Sequence, residues 1–243
     1  MALRNIESLV FNAASIPIAA GYSMKAKGKS EAEILLYGDV GDSWFGGVTA
    51  KQFADDLKAI GDVGTIHLRI NSAGGDVFDG LTIYRRLVDH PARIIVHIDS
   101  LAASIASVIA MAGDEILIAE AAQIMIHDAW GVAIGAADDM RSMADRLEIT
   151  TASLRDIYVA RTGNDAAKVE DWMGQETWFT AAEAVEQGFA GSVAENMKMA
   201  ARIDPEKHRF RNTPASLSST PNMDALRQRL ARMKAQMDRR RAA

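Results

Sequence analysis

The sequence predicts an α/β fold, and three observations carry that expectation. Short runs rich in branched aliphatic residues, such as "TIHLRI", "RIIVHID" and "EILIAE", alternate with longer stretches of helical spacing. Gly, Asp or Pro punctuates the junctions between them. Hydrophobic residues fill 49% of the 243 positions and charged residues 24%, enough apolar material for a sizeable core. Strands alternating with helices imply crossover units and a parallel sheet.

Each element has its own reason. Residues 1–31 form an N-terminal segment of mixed character. Its apolar run Leu9–Ala20 is broken by Asn12 and Pro17, so it is not expected to be a signal peptide. The body is expected over 32–200. "EAEILLYGDV" reads as a strand entering a Gly/Asp turn. "TAKQFADDLKAI" reads as a helix with Thr49 as N-cap and Phe53, Leu57 and Ile60 on one face. "TIHLRI" alternates as a strand does, and "NSAGGD" after it reads as a glycine turn. "VFDGLTIYRRLVDH" is a helix ended by Pro91. The strand "RIIVHID" ends near Asp99, and "DSLAASIASVIAMAGD" becomes helical close to Ala102–Ser104. Its apolar stretch Leu101–Gly113 has 13 residues, too few for a membrane span of about 20. "EILIAE" and "QIMIHDA" are two short strands. A long helix follows over Ala136–Arg161, with Met140, Met143, Leu147, Leu154, Ile157 and Tyr158 on a broad stripe and Gly163 as its stop. "DAAKVEDWM" is a short helix, and "TAAEAVEQG" opens on the capping box Thr180/Glu183.

Beyond the body the composition changes. Residues 201–221 are Pro- and Ser-rich and read as a linker. Residues 222–243 read as a basic amphipathic helical tail, with Met223, Leu226, Leu230, Met233 and Met237 on a seam about two heptads long. A short coiled coil and a solvated helix both fit that seam. From Pro221 to Ala243 seven basic residues face two acidic ones, a balance of +5 against −5 for the whole chain. A basic tail therefore follows an acidic body.

The absence of cysteine excludes disulfides, thiolate nucleophiles and cysteine-ligated metals, and it suits a reducing cytoplasm. No H-E-x-x-H, G-K-[ST] phosphate loop or G-x-G-x-x-G spacing occurs. No metal, cofactor, nucleic acid or membrane partner is expected.

Three features have chemical potential. Gly74–Gly75 can leave backbone N–H groups facing a ligand such as an oxyanion, although paired glycines are more often simply a turn. Ser104 falls near a helix N-terminus, where unpaired N–H groups favour negative charge, although a small residue there also serves plain packing. The G-x-S-x-G elbow is absent. His127 ends "QIMIH" at the mouth of a strand, where a base can meet a serine through space, although a satisfied edge histidine is the commoner case. His67 and His97 lie inside strands, His90 ends a helix and His208 falls in the linker.

Together "INSAGGDVFDGLTIYRRL", "DSLAASIASVIAMAGDEILIAEAAQIMIHDAW" and "ETWFTAAEAVEQGFAG" resemble the ClpP-type serine peptidases over roughly residues 32–195. Within them the sequence is most similar to the head maturation proteases of tailed phages and prophages. The resemblance implies a crotonase-like ββα superhelix, the ClpP fold. It places the nucleophile on Ser104, the general base on His127, and oxyanion donors on the backbone N–H groups of Gly75 and Ile105. The acid falls on Glu176, with Asp171 as the alternative. Asp128, beside His127, is expected to point elsewhere. The resemblance further implies a cytoplasmic homo-oligomeric ring, six- or seven-membered, with the long helix between stacked rings. A protein or peptide substrate would bind extended beside Gly74–Gly75, and in the phage setting that substrate is capsid or scaffold protein. A Clp proteolytic subunit served by a separate ATP-dependent unfoldase is the alternative. A crotonase-like protein binding acyl-CoA and an inactive structural subunit are the readings of another class.

Overall fold

Parallel strands organise the fold. The computed structural model describes residues 21–28, 30–42, 47–194, 210–214 and 217. In chain order the elements are β1 (Gly21–Lys27), β2 (Glu31–Val40), α1 (Ala50–Ala59), β3 (Thr65–Gly75), α2 (Val77–Val88), β4 (Arg93–Ala103), α3 (Ile105–Ala110), β5 (Glu115–Ala119) and β6 (Gln123–Ile126). They continue with α4 (Ala137–Thr162), α5 (Ala166–Gly174), β7 (Thr177–Thr180), α6 (Ala181–Glu186) and β8 (Ser192–Ala194). The sheet runs β1-β2-β3-β4-β5-β8, with β6 paired to β4 and β7 paired to β6. β2 to β5 are mutually parallel, as the α/β expectation requires, and β1 adds antiparallel at the edge.

Alternation decides which face is covered. Ile34, Leu68, Val96 and Ile116 point to one side and are wholly buried. Phe53 and Leu57 of α1 and Ile83 and Leu87 of α2 pack with them in one core. The caps are as read: Thr49 Oγ1 accepts from Gln52 N–H, and Thr180 and Glu183 cap each other reciprocally.

β4 is the element that builds the site, because it forks. Its first half pairs with β5 over Ile95–Ile98, and its second half pairs with β6 over Leu101–Ala103. Between the halves the β3–β4 register slips from Ile70↔Ile98 to Ser72↔Ala102. Asp99 sits in this irregular stretch, wholly buried, accepting from Arg69 Nε at 2.8 Å and from the Tyr37 hydroxyl. A buried carboxylate is tolerable only with such partners.

Several expectations are corrected here. "NSAGGD" is not a turn: β3 stays extended through Gly75, pairing Val40↔Gly75 with β2. The strand read to Asp99 runs on to Ala103, and the helix starts at Ile105. Pairing with β6 explains the extension, since alanine alone has little strand preference. Strands β1, β7 and β8 were not anticipated. The stripe on α4 is used only in part: Leu154 and Tyr158 are buried, whereas Met140 is 39% exposed.

The stretch read as linker is described at 210–214 and 217, and it packs on the body. Leu217 is buried against Ala73, Leu101, Ala103 and Met125, with Phe210 and Trp178 beside them. The apolar run Leu9–Ala20 and the basic tail over 222–243 lie outside the described residues. Among the described residues no helix is long and apolar enough to cross a membrane.

Candidate active site

The β4–β6 pairing brings Ser104 and His127 together. Ser104 follows the last residue of β4 and His127 follows the last residue of β6. The Ser104 N–H donates to Met125 O at 2.9 Å, which continues the strand ladder by one bond. His127 Nε2 then lies 2.8 Å from Ser104 Oγ. When Nε2 accepts the hydroxyl proton, the neutral ring carries its own proton on Nδ1.

Ser104 holds a conformation that ordinary residues avoid, with φ 54° and ψ −132° at the strand-to-helix turn. Such backbone costs about 1–3 kcal/mol and survives only where surrounding bonds fix it. Here the Ser104 carbonyl accepts from Ser107 N–H at 2.9 Å and from Ser107 Oγ at 2.6 Å. Since Ser107 has one hydroxyl proton to give, the Tyr158 hydroxyl, 2.8 Å away, donates to Ser107. Burial holds Tyr158 well above the usual phenol range, so it stays a donor. This chain of bonds ties the Ser104 turn to α4.

Two glycines are required by close approach. A Cβ on Gly74 would lie 2.7 Å from Ser104 Cβ, and one on Gly75 would lie 2.1 Å from Val40 O. Their φ angles, +96° and +147°, also disfavour any side chain. The N–H of Ile105 is the first of α3 and has no carbonyl partner within that helix. A cavity of about 620 Å³ opens over the Ser104–His127 pair, with Gly75, Ser104, His127, Trp130, Leu147 and Phe210 among its walls.

Burial is the main influence on His127, pushing its pKa down to about 4 against the opposing pull of Glu176, with Arg211 adding to the decrease. The ring is therefore neutral at physiological pH and free to accept a proton. Glu176 lies between α5 and β7, is 4% exposed and has φ 52°. Its carboxylate acts on His127 through charge but does not hydrogen-bond to it. It accepts instead from the backbone N–H groups of Arg211 at 2.7 Å and Asn212 at 2.6 Å, and from Trp178 Nε1 at 3.4 Å. Asp171 stands exposed on α5, accepting from Gln175 Nε2 at 2.6 Å. Asp128 borders the cavity, its carboxyl raised by burial.

The structure thus gathers Ser104, His127, Glu176, Gly75 and Ile105, and leaves Asp171 apart. It adds residues that sequence reasoning missed. Ser107 and Tyr158 look like ordinary helix residues. Phe210, Arg211 and Asn212 fall in a polar run, where only the isolated apolar residues Phe210 and Leu217 hint at docking. Among the described residues no group of three or more His, Asp or Glu side chains is arranged to hold a metal ion.

Comparison with known proteins agrees in kind. The chain is 30% identical over 130 residues to "ATP-dependent Clp protease proteolytic subunit 1" of Mycobacterium bovis, covering 53% of this chain and 65% of that protein. It is 29% identical over 168 residues to "ATP-dependent Clp protease proteolytic subunit" of Ligilactobacillus salivarius, covering 68% of this chain and 84% of that protein. The chain therefore spans just under two thirds of the mycobacterial relative's length. A family model described as "Clp protease" matches residues 20–197, a stretch that takes in all eight strands and the Ser104–His127 pair. On that match the chain belongs to the Clp protease family.

Proposed function

We propose that the protein is a serine endopeptidase. The observation that carries this reading is the 2.8 Å bond between His127 Nε2 and Ser104 Oγ, made at a serine in strained backbone. Ser104 Oγ attacks the peptide carbonyl while His127 takes its proton. The backbone N–H groups of Gly75 and Ile105 receive the developing oxyanion, each such donor typically contributing about 3 kcal/mol. Collapse of the tetrahedral intermediate transfers the His127 proton to the leaving amine and leaves an acyl ester on Ser104. Water then releases the acid by the same route in reverse. Glu176 stabilises the imidazolium by its charge. The substrate is an extended peptide; β2 takes one edge of Gly74–Gly75, so the peptide uses the other.

The test is direct. A fluorophosphonate should form an adduct that mass spectrometry maps to Ser104, and Ser104→Ala should abolish it. No adduct on the full chain, with a control serine hydrolase labelled alongside, would overturn the reading.

Two settings are proposed for this activity, both as a homo-oligomeric ring. The printed names of the relatives support a proteolytic subunit working with a separate ATP-dependent unfoldase. The resemblance to the phage group supports processing of capsid or scaffold protein. Casein degradation only with an added unfoldase would select the first. Clipping of a capsid protein without one would select the second.

A further inference from the structure

The segment Phe210–Asn212 lies against the site, yet the family match ends at residue 197. Its contacts converge on three successive residues of the body. Arg211 Nη2 donates to Gly174 O at 3.0 Å, and Asn212 Nδ2 donates to Gln175 O at 2.6 Å. These carbonyls close the C-terminal end of α5, where backbone acceptors lack helical partners. The backbone N–H groups of the same two residues then take the two oxygens of Glu176, at 2.7 and 2.6 Å. One residue earlier, the Phe210 ring meets His127 edge-on at 5.8 Å, and it also packs on Trp178. Leu217 anchors the far end, 6% exposed.

We propose that this segment is a built part of the active site. The Arg211 and Asn212 amides hold the Glu176 carboxylate at its place beside His127, and Phe210 screens the imidazole from water. These are positioning residues, acting through Glu176 and His127. The proposal rests on the peptidase reading above.

The chemistry favours positioning over obstruction. Glu176 is almost fully buried, and a buried carboxylate needs donors. Its positive φ and long side chain leave several orientations open, and two fixed amide dipoles select one of them. Backbone donors are fixed by the chain and do not themselves titrate, and the Arg211 guanidinium lies 3.9 Å from the same carboxylate. The Ser104–His127 bond is intact with the segment in place, and Phe210 forms only one wall of the open cavity.

Full-chain variants test this. Asn212→Pro removes one cradle N–H, whereas Asn212→Ala keeps it and removes only the side chain. Asn212→Pro should slow fluorophosphonate labelling of Ser104 about tenfold, the scale of one charge-assisted hydrogen bond, and Asn212→Ala clearly less. Among the described residues, the polar and charged groups that act on His127 are Ser104, Glu176 and Arg211. Phe210→Ala leaves all three and admits water, so the acid limb of the labelling profile should move up from about 4 toward 6.5. Phe210→Leu, which keeps apolar cover, should hold it near its original place. Equal labelling in Asn212→Pro and the unaltered chain would overturn the proposal. So would faster labelling, the mark of an obstructing strap. A readout free of activity separates this from failure of the peptidase reading. Hydrogen exchange at the Arg211 and Asn212 amides should be slow and should become fast in Glu176→Ala. Fast exchange in the unaltered chain would sink the cradle even if Ser104 labels normally.

Discussion

Among the described residues, Ser104 and Glu176 are the two non-glycine positions with positive φ, and both border the same imidazole. Strain of this kind persists where surrounding bonds over-determine it. For Ser104 those bonds come from Met125, Ser107 and, through Ser107, Tyr158. Ser104→Ala should lower peptide hydrolysis by more than about a thousandfold, measured as kcat/KM, as expected when a nucleophile is removed. The acid is tested by comparing Glu176→Gln with Asp171→Asn. The first should reduce kcat at least tenfold, roughly the scale of losing a charge partner, and the second should have little effect, because the exposed Asp171 side chain, among the described residues, accepts from Gln175 and lies apart from His127. The reverse order would move the acid to Asp171. The pH dependence follows from the depressed His127. Its basic form is present above about 4 and is lost as pH falls through that value. The kcat/KM profile should therefore stay flat from neutrality to well below 6, and an acid limb near 6.5 would contradict the burial argument. The same shift links to stability. Between about 4 and 6.5 the unfolded chain binds the His127 proton and the folded one does not, so this group's contribution is lost as pH falls through that window.

At the scale of elements, the forked β4 does what no single residue can. By pairing with β6 it delivers the serine and the histidine from neighbouring strand ends, with the register fixing their separation. β3 must pass close beside that turn, which gives Gly74 its role. Gly74→Ala would drive a methyl group into Ser104 Cβ and Ala103 O. Labelling of Ser104 should fall at least tenfold and the melting temperature should drop by several degrees, as about 1–3 kcal/mol of overpacking implies. Normal labelling at normal stability would mean that the turn tolerates displacement. The legibility of the elements tracks how local their causes are. α1, α2 and α6 were readable because caps and helical spacing lie in the residues themselves. The end of β4 was not, because "SLAA" is extended only by virtue of β6. β1 was missed because "GYSMKAK" carries no strong alternation and is held by antiparallel pairing with β2. Ser104 and His127 were singled out through the resemblance to the ClpP-type peptidases, whereas the Arg211–Asn212 cradle uses backbone amides that any residue but proline supplies.

At the scale of the whole molecule, α4 links the site to the exterior. Its C-terminal half buries Leu154 and Tyr158, and Tyr158 reaches the Ser104 turn through Ser107. Its N-terminal half leaves Met140 and Ile149 39% and 69% exposed, apolar surface suited to contact between copies. Ile149→Glu should therefore yield a smaller species by light scattering than the unaltered chain, and an unchanged large assembly would place the contact elsewhere. The docked segment has a consequence of another kind. Glu176 and the Arg211 amide are 35 residues apart in sequence. Synthesis is directional, at about 5–20 residues per second, so Ser104, His127 and Glu176 are all made a few seconds before the Arg211 and Asn212 amides that donate to the Glu176 carboxylate. On the proposed reading, the site therefore lacks its last support until the chain has been made past Asn212, and activity comes late in synthesis.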